Sequence, residues 1–113
     1  MKIAFTAKDI HWNSEIDPKF GRADYLLIYD TETDTLNADD NKENANVAHG
    51  AGPKTAEKLF NYEPDVLITG NGPGGNAKRA LDQGDLEVYA GANGMTIKEA
   101  YQAYQDGELN KMD

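Results

Sequence analysis

The stretch Pro64-Asp65-Val66-Leu67-Ile68-Thr69-Gly70-Asn71-Gly72-Pro73-Gly74-Gly75-Asn76-Ala77-Lys78-Arg79-Ala80-Leu81 decides the fold. Val66, Leu67 and Ile68 form an unbroken apolar run, the mark of a strand covered on both faces. Gly70 to Gly75 closes that strand, and Ala77, Ala80 and Leu81 then recur at helical spacing until Gly84. A buried strand that passes through glycine into a helix opens a parallel crossover unit. The next residues complete it. Leu86 to Ala90 reads as a second strand, Gly91-Ala92-Asn93-Gly94 as its turn, and Thr96 as the N-cap of a last helix. Glu99, three positions on, makes a capping box, while Ile97, Ala100, Tyr101 and Tyr104 supply an inner stripe that ends at Gly107.

Upstream, His49-Gly50-Ala51-Gly52-Pro53 leads into another helix, with Pro53 in the first turn, where no amide hydrogen is needed. Ala56, Leu59 and Phe60 form its stripe, which stops before Pro64. Lys2–Ala7 and Tyr25–Tyr29 read as strands apolar on both faces, and Thr35–Ala38 as a short polar edge strand. Asp9–Gly21 is a long loop and Asp39–Ala48 a polar one. The order β-β-β-α-β-α-β-α specifies an antiparallel meander followed by parallel strands with right-handed crossovers. The expected architecture is a three-layer α/β/α sandwich, one domain spanning residues 1–113, without repeats or linkers.

Composition narrows the function. Eleven basic and twenty acidic side chains leave a net charge of −9, which argues against nucleic acid and anionic membrane as partners, since a polyanion needs a concentrated basic face. No segment approaches the ~20 apolar residues of a membrane span. Met1–Lys8 lacks the apolar run of a signal peptide, so a cytoplasmic protein is expected. Cysteine is absent, which removes disulfides, thiolate zinc sites, cysteine-ligated iron–sulfur clusters and a cysteine nucleophile. Asp30–Glu43 holds six acids against one base and reads as a solvated edge or a cation-binding surface, without the spacing of a calcium loop.

The glycines point to chemistry. Gly50 and Gly52 precede one helix; Gly70, Gly72, Gly74 and Gly75 follow one parallel strand, and Gly91 and Gly94 the next. Loops after parallel strands open on one edge of the sheet, the usual ligand crevice of open α/β folds. Tight turns need glycine in any case, but consecutive glycine-rich loops also let amide hydrogens converge into an anion cradle. No loop carries the Lys-Ser/Thr of a phosphate loop, and no Gly-x-Gly-x-x-Gly turn follows the first strand. The two histidines, His49 at the start of a helix and His11 beside Trp12, read either as surface residues or as soft-metal ligands reaching one crevice, with Met95 as packing or as a thioether donor. Arg22 in Phe20-Gly21-Arg22 suits a multi-acceptor anion or an ion pair with Asp24 or Asp17. Hydrolytic machinery is missing: Ser14 is the only serine, and no acid stands at the centre of the first strand.

Taken together, these residues resemble the dinitrogenase iron–molybdenum cofactor biosynthesis family. MKIAFTAK followed by SEIDPKFGRADYLLIYDTET is similar to the family's first strand, Phe-Gly-Arg turn and second strand. NVAHGAGPKTAEKL resembles its His-Gly helix start, PDVLITGNGPGGNAKRAL its glycine-rich turn, and VYAGANGMTIKEAYQAYQDGEL its closing unit. Asn71-Gly72-Pro73-Gly74-Gly75-Asn76 departs from the more usual Ile-Gly-Pro-Asn-Ala order by an extra glycine. The resemblance implies a ribonuclease-H-like fold with a five-stranded mixed sheet ordered 3-2-1-4-5. It also implies binding or carriage, without catalysis, of a molybdenum- or iron-containing sulfide cluster. Cysteine-free members of the orange-protein type hold a molybdenum–copper sulfide cluster non-covalently. His49 falls on the family's His-Gly position, Arg22 on Phe-Gly-Arg, and Gly70 to Gly75, with Asn71, on the glycine-rich turn.

The leading expectation is therefore a carrier whose amide hydrogens, Arg22 and imidazoles hold a cluster or thiometallate while Ile10, Trp12 and Met95 cover it, for delivery to a cluster-accepting protein. A regulatory interaction domain of the same fold, without a metal ligand, is the alternative; its acidic face from Asp30 to Glu43 would meet a basic partner. A small enzyme acting on a phosphorylated metabolite is the third reading. A monomer or weak homodimer is expected, the latter through Tyr101 or Tyr104.

Overall fold

Alternation along the central strands divides the apolar residues between two faces, and the computed structural model, which describes residues 1–112, shows what covers each. Strands β1 (Lys2–Ala7), β2 (Tyr25–Asp30) and β3 (Thr35–Asp40) form the antiparallel meander. Helices α1 (Lys42–Ala45) and α2 (Ala51–Phe60) lead to β4 (Val66–Ile68), which lies parallel to β1 with Ala4 opposite Leu67. Helix α3 (Gly75–Leu81) leads to β5 (Glu87–Ala90), parallel to β4, and α4 (Ile97–Gln105) to β6 (Asn110–Met112).

Ile3, Phe5, Leu27, Val66 and Ile68 pack beneath Ile97, Ala100 and Ala103 of α4. On the opposite face Ala4, Leu26, Ile28, Leu67 and Val88 pack beneath Ala56 and Leu59 of α2 and Ala77 and Leu81 of α3. The three-layer α/β/α sandwich is thus observed, with one helix over one face and two over the other. Removing a fully buried member such as Leu59 should cost about 2–5 kcal/mol. Among the described residues no helix is long and apolar enough to cross a membrane.

The sheet has six strands in the order β3-β2-β1-β4-β5-β6, one more than the five-stranded 3-2-1-4-5 expectation. The addition is β6, antiparallel to β5, with Val88 opposite Met112 and Ala90 opposite Asn110. A three-residue strand with one apolar side chain has no periodicity to read; the open edge of β5 supplies its partner. Strand β3 runs on to Asp40 rather than ending at Ala38, and the expected polar loop contains α1. Both follow from pairing: Leu26 stands opposite Asp39 and Tyr25 opposite Asp40, so β2 extends its polar neighbour.

Candidate anion-binding site

At the carboxyl end of β1 and β4, three segments meet around a cleft of about 410 Å³. They are the loop from Pro18 to Arg22, the start of α2 from Gly50 to Pro53, and the turn from Asn71 to Ala77. Main chain packs on main chain here. A Cβ on Gly21 would lie 2.6 Å from the Gly52 nitrogen, and one on Gly52 would lie 2.7 Å from the Ala77 Cβ. Only glycine permits this approach, and it sets the first turns of α2 and α3 side by side.

The floor is locked from below. The Asn71 amide donates to the Pro18 carbonyl at 2.8 Å, and the Gly91 amide donates to Gly70 O at 2.8 Å. Asn93 Nδ2 donates to Asn71 Oδ1 at 2.6 Å, joining the turns that follow β4 and β5. Thr6 Oγ1 lies 2.8 Å from both the Asp17 carbonyl oxygen and Thr69 Oγ1, so the buried ends of β1 and β4 are satisfied as well. Met112 of the unforeseen strand β6 packs its thioether where a Gly72 Cβ would stand, 2.8 Å from that position.

Polar character is sharply local. Lys19 and Arg22 line the cleft, and its lining contains no Asp or Glu in a chain with twenty acids. The N-caps of α2 and α3 are Gly50 and Gly74, and neither end has a side-chain cap. By contrast α4, whose start lies outside the cleft, has its full capping box: Thr96 Oγ1 accepts from the Glu99 amide at 3.1 Å, and Glu99 accepts from the Thr96 amide at 2.9 Å. Hydrogen bonding from Thr96, by its amide first and its hydroxyl second, holds the Glu99 carboxyl below the usual carboxylate range. The first amides of α2 and α3 have no partner of this kind; helix geometry leaves them free to bind an anion.

The structure sorts the residues singled out from sequence. Arg22, Gly50, Asn71, Gly72, Gly74 and Gly75 line the cleft, and Gly70 lies buried behind Asn71. Gly91 and Gly94 do not line it; they shape the neighbouring turn with positive φ values of 97° and 81°. Arg22 makes no ion pair with Asp17 or Asp24. Its Nη1 instead donates to the carbonyl oxygens of Ala45 at 2.8 Å and Val47 at 3.0 Å. His49 is exposed and adjoins the rim through Gly50.

His11 is not brought to this cleft. It sits in a separate depression with Lys8, Asp9, Asn13, Ser14 and Glu15, because the loop after β1 folds back through the His11 amide's bond to Ser14 Oγ at 2.8 Å. Trp12 and Met95 pack against the core under α4, and Ile10 is exposed, so none of the three covers the cleft. Among the described residues, no three His, Asp or Glu side chains converge to hold a metal ion.

Sequence reading passed over the residues that hold the cleft in shape. Asn41 is fully buried; its Nδ2 donates to Ala23 O at 2.9 Å and to Thr55 Oγ1 at 3.1 Å, and Thr55 Oγ1 donates to Gly21 O at 3.0 Å. One asparagine thereby ties α1, α2 and the Phe-Gly-Arg turn. A polar residue in a polar stretch carries no outward sign of such burial.

The chain is similar to known proteins over nearly its whole length. The sequence profile described as dinitrogenase iron-molybdenum cofactor matches residues 1–107. The apo form of the orange protein from Desulfovibrio gigas is similar at 32% identity and a TM-score of 0.92, over 98% of this chain and 92% of that one. A Thermotoga protein assigned to NifB and to the DUF35 family is similar at 32% identity and a TM-score of 0.84, over 97% of this chain and 91% of that one. No curated protein sequence matches. The chain belongs to the dinitrogenase iron-molybdenum cofactor family.

Proposed function

We propose that the cleft receives an anionic metal–sulfide cluster, or a thiometallate precursor of one, and carries it without chemical change to an accepting protein. One observation supports this above the others: two glycine-capped helix starts open together on a cleft that holds Lys19, Arg22 and no carboxylate, on a strongly acidic protein. Such a lining disfavours cations and rewards a polyanion. Membership of the dinitrogenase iron-molybdenum cofactor family supports a metal-cluster cargo, and we take it to be a molybdenum- or iron-containing sulfide cluster, of the molybdenum–copper kind since the chain has no cysteine to ligate iron.

The donor set suits that cargo. Bridging and terminal sulfides accept hydrogen bonds, and the amides of Ala51, Gly52, Gly75 and Asn76 with Lys19 and Arg22 provide donors around one volume. His49 at the rim is the imidazole assigned to an exposed metal atom, Gly91 and Gly94 shape the supporting turn, and His11 is assigned no part. Hydrogen bonds and a single imidazole hold a cluster reversibly, as a carrier requires. No general acid, base or nucleophile is placed in the cleft.

The test is anaerobic addition of tetrathiomolybdate, with and without copper(I), to the purified protein. A visible charge-transfer band that co-elutes with the folded chain is expected, and Lys19→Glu should weaken uptake about tenfold, in line with the ~1.4 kcal/mol scale of a charged hydrogen bond. Protein that stays colourless under both conditions would overturn the reading.

A further inference from the structure

We propose that Arg22 is a positioning residue that sets the place of His49; the inference rests on the reading of the cleft given above. Residues 46–50 form a strap between α1 and α2. Its start is well held: the Asn46 amide and Asn46 Nδ2 donate to Lys42 O at 3.1 Å and 2.9 Å. Its end is fixed too, because Gly50 O accepts from the Lys54 amide at 3.1 Å and a φ of 78° turns the chain into α2. Between them, among the described residues, neither Ala48 nor His49 makes a hydrogen bond through main chain or side chain.

Among the described residues, the one side chain that hydrogen-bonds to this strap from outside α1 and the strap itself is Arg22, through its Nη1 bond to Val47 O. Arg22 is a firm anchor. Its neighbours Gly21 and Ala23 each have their carbonyl held, by Thr55 Oγ1 at 3.0 Å and Asn41 Nδ2 at 2.9 Å. The same Nη1 also closes the last turn of α1 at Ala45 O. A guanidinium is a rigid planar fork, so fixing Nη1 fixes Nε and Nη2, which have no partner among the described residues. An anion taken up by those two nitrogens binds the plane that already holds Val47. Cleft and strap are then coupled through one side chain, and His49 is presented two residues beyond the point of attachment.

Lysine at position 22 keeps the charge and loses the fork, which separates positioning from simple attraction. The experiment compares wild type, Arg22→Lys, Arg22→Gln, His49→Ala and the Arg22→Lys/His49→Ala pair. The first measurement is the amide order parameters of residues 47–49 without ligand. Both Arg22 variants should fall from a rigid ~0.85 to below ~0.6, with the melting temperature moving by less than ~4 °C. The second is affinity for tetrathiomolybdate with one equivalent of copper(I). Arg22→Lys and His49→Ala should each weaken it at least about tenfold and the pair by clearly less than the product of the two, because the placed imidazole is lost in both while the fork's own contacts to the anion are lost only with Arg22. A strap that stays rigid in both Arg22 variants, wild-type affinity in Arg22→Lys, or single effects that multiply to about a hundredfold would each overturn the proposal. If the wild type takes up no thiometallate, the cluster reading fails, and the strap's order alone decides whether Arg22 positions it.

Discussion

Gly21 and Gly52 meet backbone to backbone: a methyl group on Gly21 would sit 2.6 Å from the Gly52 nitrogen and 2.7 Å from its Cα. The contact joins the Phe-Gly-Arg turn to the first turn of α2, two segments that both line the cleft. Because the obstructing atoms are main chain, no rotamer relieves the overlap. The cleft's shape is therefore a property of two glycines 31 positions apart.

Gly21→Ala should destabilise the fold by about 1–3 kcal/mol through overpacking, read as a lower midpoint of urea unfolding with an unchanged slope. It should also weaken thiometallate uptake, since the turn and α2 must separate. An alanine variant as stable as wild type would mean that the two segments slide past one another freely.

Gly74→Asp should move stability and binding in opposite directions. Gly74 is extended, at φ −67° and ψ 171°, with open space where a side chain would stand. An aspartate there would cap the free amides of α3, adding about 0.5–1 kcal/mol. The same carboxylate would occupy the donors offered to the cargo, and uptake should fall at least about tenfold, the factor of one lost ~1.4 kcal/mol contact. Unaltered uptake would show that these amides do not face the anion.

Asn41→Ala should cost about 2–3 kcal/mol despite the polar surroundings of the residue in sequence, because it empties a buried site and strips partners from Ala23 O and Asn44 Nδ2. Chemical denaturation measures the loss. Order parameters around residues 20–23 should drop in the same variant, since the turn loses one of its two ties.

Tyr29 and Tyr62 should be the last phenols to ionise. Each donates a hydrogen bond to a carboxylate, Asp34 for Tyr29 and Asp39 for Tyr62, and each is pushed up to about 12 chiefly by that bond. A folded-state value raised above the unfolded ~10 leaves its stabilisation intact below pH ~10 and removes it as pH rises through about 12. Stability should thus decline across that window. Asp34→Asn, which keeps a residue tolerant of the φ of 55° there, should return Tyr29 toward the ordinary range. Absorbance at 295 nm against pH would then lose one of two late steps.

Local patterns carried most of the architecture. Val66-Leu67-Ile68 is a strand because three apolar residues bounded by Pro64 and Gly70 have no other use, and the structure places all three in the core. Thr96 and Glu99 form their capping box because both partners lie within one turn. Strand β6 has no such local sign: Asn110-Lys111-Met112 becomes a strand only because β5 offers an edge. The glycine-rich turns stand out from composition alone, but composition does not separate Gly72, Gly74 and Gly75, which line the cleft, from Gly91 and Gly94, whose turn lies outside its lining.

Sequence alone determined the kinds and order of elements, the division of apolar residues between two faces, the acidic surface and the position of the glycines. Each is a matter of spacing within about ten residues, where periodicity and capping act directly. Tertiary structure decided what those elements enclose: that Arg22 grips the carbonyls of Ala45 and Val47, that His11 lies apart from the cleft, and that Gly21, Gly52 and Ala77 touch. Those contacts join segments 23 to 31 residues apart, and their geometry follows from strand register and loop path, which close only when the whole sheet has formed.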